Sequence, residues 1–198
     1  IAGVACRVGR LGYTGERGFE IVLPRDAREA IWTLLAEHAR PAGFAAADIL
    51  RIEAGFILFT NELRFPVSPG ELGLQRFAAE PAGQTAAQPE QAARLLCFQA
   101  TCDSDPTLWH PLCSDPDFPP PPGAVLVTSA CRSILTGGVL GLGFALATTR
   151  GSQLSDPAGL FRDIREVSLP FFDPAKRIPR GAWGADLFPE IGRVHSFQ

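Results

Sequence analysis

The stretch Gly12-Tyr13-Thr14-Gly15-Glu16-Arg17-Gly18-Phe19-Glu20-Ile21 decides how the chain is read. Gly12, Gly15 and Gly18 recur at every third position, which marks a loop whose backbone needs positive φ or close approach. A strand follows, with Phe19, Ile21 and Leu23 on one face and Glu20 and Val22 on the other. Glu20 is thus a carboxylate on a rigid strand just past a glycine loop. It can serve as an acceptor for the N–H groups of a heterocycle, or it can be a solvated residue of a tight hairpin.

Around that stretch the order of elements is regular. Val4–Val8 alternates as a strand leading into the loop. Pro24 ends the next strand, and Asp26 with Glu29 has the spacing of a capping box. A helix is expected from there to about His38, burying Ala27, Ala30, Ile31, Leu34 and Leu35, with Trp32 at the edge of that face. His38 falls at the helix C-terminus, where a cation suits the dipole. Pro41 and Gly43 close the segment.

A second helix is expected over residues 45–55, with Ile49, Ile52 and Phe56 on one stripe. Arg51 and Glu53 lie off it. They read either as a solvated or salt-bridged pair, or, for Arg51, as a brace for the loop carrying Glu20. A short apolar piece at Phe56–Phe59 follows, and Ser68-Pro69-Gly70-Glu71 starts a helical turn with proline at its first position.

Residues 78–92 are small, polar and turn-rich, which marks a linker between residues 1–77 and a second unit. In that unit residues 94–100, 124–129, 139–147 and 164–169 read as strands, giving an all-β unit over residues 93–175, a small barrel or a sandwich. An irregular tail covers residues 176–198, with Trp183 and Phe188 among prolines and glycines. The fold class expected is α+β. A loop from Thr101 to Pro122 closes on four consecutive prolines. It is expected to be irregular and more mobile than its flanking strands, with Trp109 and His110 in its middle. The glycines from Gly137 to Gly143 suit a close-packed strand better than a nucleotide loop, because no helix follows.

Composition narrows the function classes. A hydrophobic content of 46% with 20% charged residues is ordinary for a globular chain. The net charge of −3 argues against a general nucleic-acid or anionic-membrane surface. No apolar run is long enough to span a bilayer, and the start has no signal-peptide pattern. Five cysteines without a CxxC pair argue against zinc. Cys97 and Cys131 sit in apolar runs and read as small buried hydrophobes. Cys102 and Cys113 flank the long loop and could pair in an oxidising compartment, but a reduced, cytoplasmic state is expected. Three scattered histidines define no Ser–His–Asp set.

The opening stretch, together with Ala45-Ala46-Ala47-Asp48-Ile49-Leu50-Arg51-Ile52-Glu53-Ala54-Gly55, resembles the aminomethyltransferase family, the T-protein of the glycine cleavage system. That family's pattern reads Gly-Tyr-Thr-Gly-Glu-x-Gly-x-Glu, then a helix, then Ala-Arg-Asp-x-Leu-Arg-x-Glu-Ala-Gly. The likeness is strong over residues 7–75. It implies the C-terminal portion of a folate-binding α+β domain followed by a small β-barrel, in a fragment without the N-terminal region that supplies much of the folate pocket. It also implies tetrahydrofolate as cofactor, a lipoyl carrier protein as partner, and transfer of a one-carbon unit with release of ammonia. No catalytic residue is expected within the fragment, because the T-protein's catalytic aspartate lies before it. Glu20 matches the position that receives the pterin, and Tyr13 and Arg51 complete the cofactor-binding set the resemblance suggests.

Two departures stand out. Ala47 occupies the place of the family's ligand-holding arginine. An aromatic common near the family's C-terminal end is missing, with Lys176 and Arg177 near its place. The Lys-Gly-Cys-Tyr-x-Gly-Gln-Glu motif of a sister group of folate-binding proteins is absent. A non-catalytic folate-family module is therefore the second reading.

Overall fold

The computed structural model describes residues 1–78, 93–106, 118–149, 154–169, 171, 173 and 175–180. The linker reading for residues 78–92, the middle of the long loop with Trp109 and His110, and the tail beyond residue 180 lie outside them, apart from Ala78.

The glycine loop joins two short antiparallel strands, β1 (Arg7–Gly9) and β2 (Glu20–Val22), in the register Arg7 with Val22 and Gly9 with Glu20. The alternation holds from Glu20 on: Ile21 and Leu23 are half-buried, whereas Glu20 and Val22 are exposed; Phe19, expected on the face of Ile21, is exposed as well. A single 3₁₀ turn, Arg25–Ala27, then precedes α1 (Arg28–Ala36). The expected capping box does not form. Pro24 caps the 3₁₀ turn, the helix begins only after it with Ala27 as its N-cap, and no side chain caps it. Of the predicted apolar face only Ile31 is buried, and Ala30 and Leu35 are exposed, because among the described residues no other element packs substantially on α1.

The second helix, α2 (Phe44–Glu53), behaves differently. Ile52 is fully buried and packs with Ile49, Cys131, Leu140 and Phe171. Asp48, Arg51 and Glu53 are buried as well. The solvated reading of Arg51 and Glu53 is therefore wrong. The helix lies on a sheet with both its apolar stripe and a polar flank.

That sheet has four antiparallel strands in the order β4 (Leu126–Arg132), β5 (Val139–Leu146), β3 (Ala93–Thr101), β6 (Arg162–Val167). Its central strand β5 shows period two. Leu140 packs towards α2, and Phe144 packs with Phe65 and Phe118. Val139 and Ala145 face the main core with Leu96, Phe98, Val125 and Ile164. Gly141 is glycine because the Phe98 ring fills the space a side chain would need. A side-chain carbon at Gly143 would meet the Leu126 carbonyl oxygen at 2.6 Å.

The expected barrel is not closed among the described residues. β4 and β6 remain edge strands, tied together by single bridges: Ala124 to Ser155, and Leu154 to Ile164. The molecule is a mixed helix-and-sheet structure with a strongly curled open sheet.

The turn predicted at Ser68 forms and is coupled to the sheet. Glu71 accepts from the Ser68 amide and hydroxyl at 2.7 and 2.8 Å, and the Ser68 hydroxyl accepts from the Glu71 amide at 3.3 Å. The other Glu71 oxygen accepts from the Ala93 amide at 3.0 Å, at the start of β3.

Candidate functional site

The glycine loop is seated on the end of α2. Gly15 has φ of +74°, and a side-chain carbon there would stand 2.5 Å from the Ala54 methyl. Both facts require glycine. Gly55 repeats the arrangement one residue beyond Ala54. Its φ is +76°, and Leu169 packs against the place its Cβ would take. The Thr14 hydroxyl accepts from the Glu16 amide at 3.4 Å.

The C-terminal segment closes the same corner. Arg10 donates to the Pro179 carbonyl at 3.1 Å. The Asp173 carboxylate accepts from the amides of Arg177 and Ile178, both at 2.8 Å, and so starts the short helix α3 (Arg177–Arg180). The Lys176 ammonium lies 5.8 Å from the centre of the Phe56 ring.

Glu16 stands near two other carboxylates here. Burial holds the Glu16 carboxyl above its usual range, and the charges of Glu53 and Asp173 push it further. Glu53 itself is buried and satisfied, accepting from the Ser133 hydroxyl at 2.6 Å and the Leu135 amide at 3.2 Å. Among the described residues no group of three histidine, cysteine or acidic side chains could hold a metal.

The three residues singled out from sequence occupy two different settings. Tyr13, in the loop, is 38% exposed, and the Glu20 carboxylate is exposed on β2 just past it. Arg51 is fully buried, on the side of α2 that faces β4. Its Nε donates to Asp48 at 2.8 Å and its Nη1 to the Phe56 carbonyl at 3.1 Å. Nη1 also faces Glu62 at 3.5 Å, and Nη2 donates to the Ser129 hydroxyl at 2.8 Å. Ala47 is half-buried, next to Asp48 in α2.

Sequence reasoning missed Glu62, Asn61, Thr128 and Ser129. Glu62 is completely buried. One of its oxygens accepts from the hydroxyls of Thr128 at 2.7 Å and Ser129 at 2.5 Å, and the other from the Leu58 amide at 2.7 Å. Neighbours on a regular strand point to opposite faces. Both hydroxyls reach one carboxylate because β4 carries a bulge at Thr128: Val127 pairs Gly143 and Ser129 already pairs Leu142. The sole signal in the sequence was a pair of hydroxyl residues inside an otherwise apolar strand.

The cysteine reading stands where it can be seen. Cys97 and Cys131 are buried, and burial pushes each thiol up to about 12, so neither is reactive at neutral pH.

Residues 1–80 match the family described as the GCVT N-terminal domain. Over much of that stretch the chain is similar to curated aminomethyltransferases. An aminomethyltransferase of Caldanaerobacter subterraneus subsp. tengcongensis is 46% identical over 82 residues, which cover 39% of this chain and 22% of that protein. One from Stenotrophomonas maltophilia is 51% identical over 73 residues, covering 36% of this chain and 20% of its own. The crystal structure of glycine cleavage system aminomethyltransferase T from Bartonella henselae superposes with a TM-score of 0.57 at 20% identity. That superposition covers 83% of this chain and 49% of the other. The fold likeness thus reaches beyond the family match into the sheet after residue 92. The chain spans about a fifth of the length of the curated aminomethyltransferases it matches and about half of the solved one. No described helix is long and apolar enough to cross a membrane.

Proposed function

We propose that the chain is part of an aminomethyltransferase-like protein that uses tetrahydrofolate in one-carbon transfer of the glycine-cleavage type. The observation that carries this reading is the Glu20 carboxylate. It stands exposed on β2, its register fixed opposite Gly9, directly after a loop of the family's pattern. A carboxylate presented on a strand accepts two parallel N–H bonds, the donor pattern of a pterin edge, and charge makes such pairs strong. Tyr13 lines the same loop. Arg51 has no exposed side-chain surface, so its part is to hold the Phe56 turn behind the loop. The folate supplies the one-carbon acceptor; Glu20 and Tyr13 bind and orient it, and Arg51 acts from behind them. A lipoyl carrier protein as donor, a cytoplasmic setting, and a β unit over residues 93–175 joined by a linker at 78–92 belong to the same proposal.

A non-catalytic, folate-family module is the second reading, and Ala47 favours it. A small apolar side chain there gives the ligand no charge to meet, and a lost charged contact costs roughly 1.5–3 kcal/mol.

Titration calorimetry with tetrahydrofolate on the full-length protein tests both. Glu20→Gln removes the charge and sets a donor against a donor. It should weaken binding about 30-fold or more, the equivalent of roughly 2 kcal/mol, with melting nearly unchanged. Equal affinity removes Glu20 from the site. No binding by the natural chain, restored by Ala47→Arg, supports the module.

A further inference from the structure

The buried polar groups between α2 and β4 form a chain of contacts that ends under the glycine loop. It begins at the β4 bulge, where Thr128 and Ser129 donate to Glu62. Glu62 also accepts from the Leu58 amide, which fixes the turn after α2, and faces Arg51 Nη1. Arg51 passes the constraint on, since the same Nη1 donates to the Phe56 carbonyl. The turn Ala54–Phe56 then carries the loop, with Ala54 filling the space under Gly15. None of the polar side chains in this path is left without a partner.

A carboxylate is the group this place needs. It offers about four lone-pair sites and no donor. Here it meets two hydroxyls, one amide and one guanidinium, all donors. The residues on the β4 side come from a strand distant in sequence, so the path joins the curled sheet to the loop rather than bracing α2 alone.

We propose that Glu62 is a positioning residue: through Arg51 it sets the Ala54–Phe56 turn, and with it the conformation of the glycine loop that bears Tyr13 and leads to Glu20. Only the consequence for a ligand rests on the folate reading. The setting of the loop stands without it.

Tyr13 is the sole tyrosine of the chain. Full-length protein grown with 3-fluorotyrosine, if the rest of the chain adds no other tyrosine, gives one fluorine resonance from the loop itself; any added tyrosines are first replaced by phenylalanine. Glu62→Gln keeps an oxygen for Thr128 and Ser129 but turns an amide NH₂ against Leu58 and Arg51. Ser129→Ala loosens the other end. Ile164→Ala, in the sheet core away from the path, is the control for lost stability alone. The proposal expects the Tyr13 resonance to shift or broaden by more than its own line width in Glu62→Gln and in Ser129→Ala, well below their melting temperatures. Ile164→Ala should leave it in place. Should Glu62→Gln fail to fold, Ser129→Ala decides. A resonance unmoved in the folded path variants, or moved as far in Ile164→Ala, overturns the proposal. Tetrahydrofolate added to the natural chain should move the same resonance. Silence there counts against the folate reading alone, and the variants still decide the role of Glu62.

Discussion

The β1–β2 hairpin and the curled sheet are built from similar residues and end up in opposite conditions. On the hairpin and its loop Val8, Leu11, Phe19 and Val22 are all more than half exposed. In the sheet Phe98, Leu140, Leu142, Phe144 and Ile164 are completely buried. The hairpin pairs three residues and has no second layer of its own among the described residues. The sheet has four strands, a helix on one face and a dense core on the other. An isolated two-stranded hairpin is marginal in water, whereas three or more strands with a covered face are not. The hairpin is therefore shaped from outside, by α2 and the C-terminal segment against its loop, and the sheet from within.

The sharpest way to break that comparison is to truncate one side chain in each region. Phe98→Ala should lower unfolding free energy by about 3–5 kcal/mol in denaturant titration. Val22→Ala, on an exposed position, should stay within about 0.5 kcal/mol. Equal losses would mean that the hairpin is covered by something the described residues do not include.

Ser129→Ala probes the junction between the regions. It removes the acceptor of Arg51 and Asn61 and one donor to Glu62. Leaving buried partners unmatched should cost roughly 1–3 kcal/mol, read by the same titration. A neutral outcome would show that the two regions are not joined through this network.

Gly15→Ala tests the seat of the loop. Both its positive φ and the nearby Ala54 oppose a side chain. We expect a loss of roughly 1–2 kcal/mol, seen as a modest drop in melting temperature. Gly12→Ala, with open space around it, should cost less.

The smallest effect concerns Glu16 and pH. Its carboxyl is held high in the folded state by burial, then by Glu53 and Asp173. The folded chain therefore keeps this proton longer than the unfolded one. Stability from this group falls as pH rises from the ordinary glutamate range through the raised folded value. Glu16→Gln should flatten the stability–pH profile across that window and leave the chain no less stable at pH 7. A steeper profile in the variant would refute the assignment. The exposed Arg162–Asp103 pair, whose arginine holds the Asp103 carboxyl below its usual range, should contribute nothing measurable at moderate salt.

Residue patterns made Gly15, the period-two strands and the exposed Glu20 readable, because each depends on neighbours in sequence; Gly12 and Gly18, read the same way, have neither positive φ nor a close neighbour. The polar flank of α2 was only half readable. The stripe of Ile49 and Ile52 left Arg51 and Glu53 as a solvated or salt-bridged pair, or Arg51 as a brace for the loop, and the hydroxyls they meet, Ser129 and Ser133, lie far away in sequence. The bulge at Thr128 was equally hidden, since alternation is what a bulge interrupts. At Asp26 the capping spacing was present, but Pro24 led the chain into a 3₁₀ turn first. The barrel is not closed among the described residues: four strands are present, and Leu154 and Ser155 link the two ends of the sheet by single bridges.

The strand order also sets the sequence of events in which this sheet can assemble. Arg132 meets Val139 across one short turn, while Thr101 must find Arg162 after the whole of β4 and β5 has been made. Closing a short loop costs less entropy than closing a long one. The β4–β5 ribbon is then the expected nucleus, with β3 added to it and β6 last. Substitutions in the 133–138 turn should slow refolding, and those in β6 should speed unfolding with refolding little changed. If β6 is already formed in the transition state, its variants will slow refolding instead.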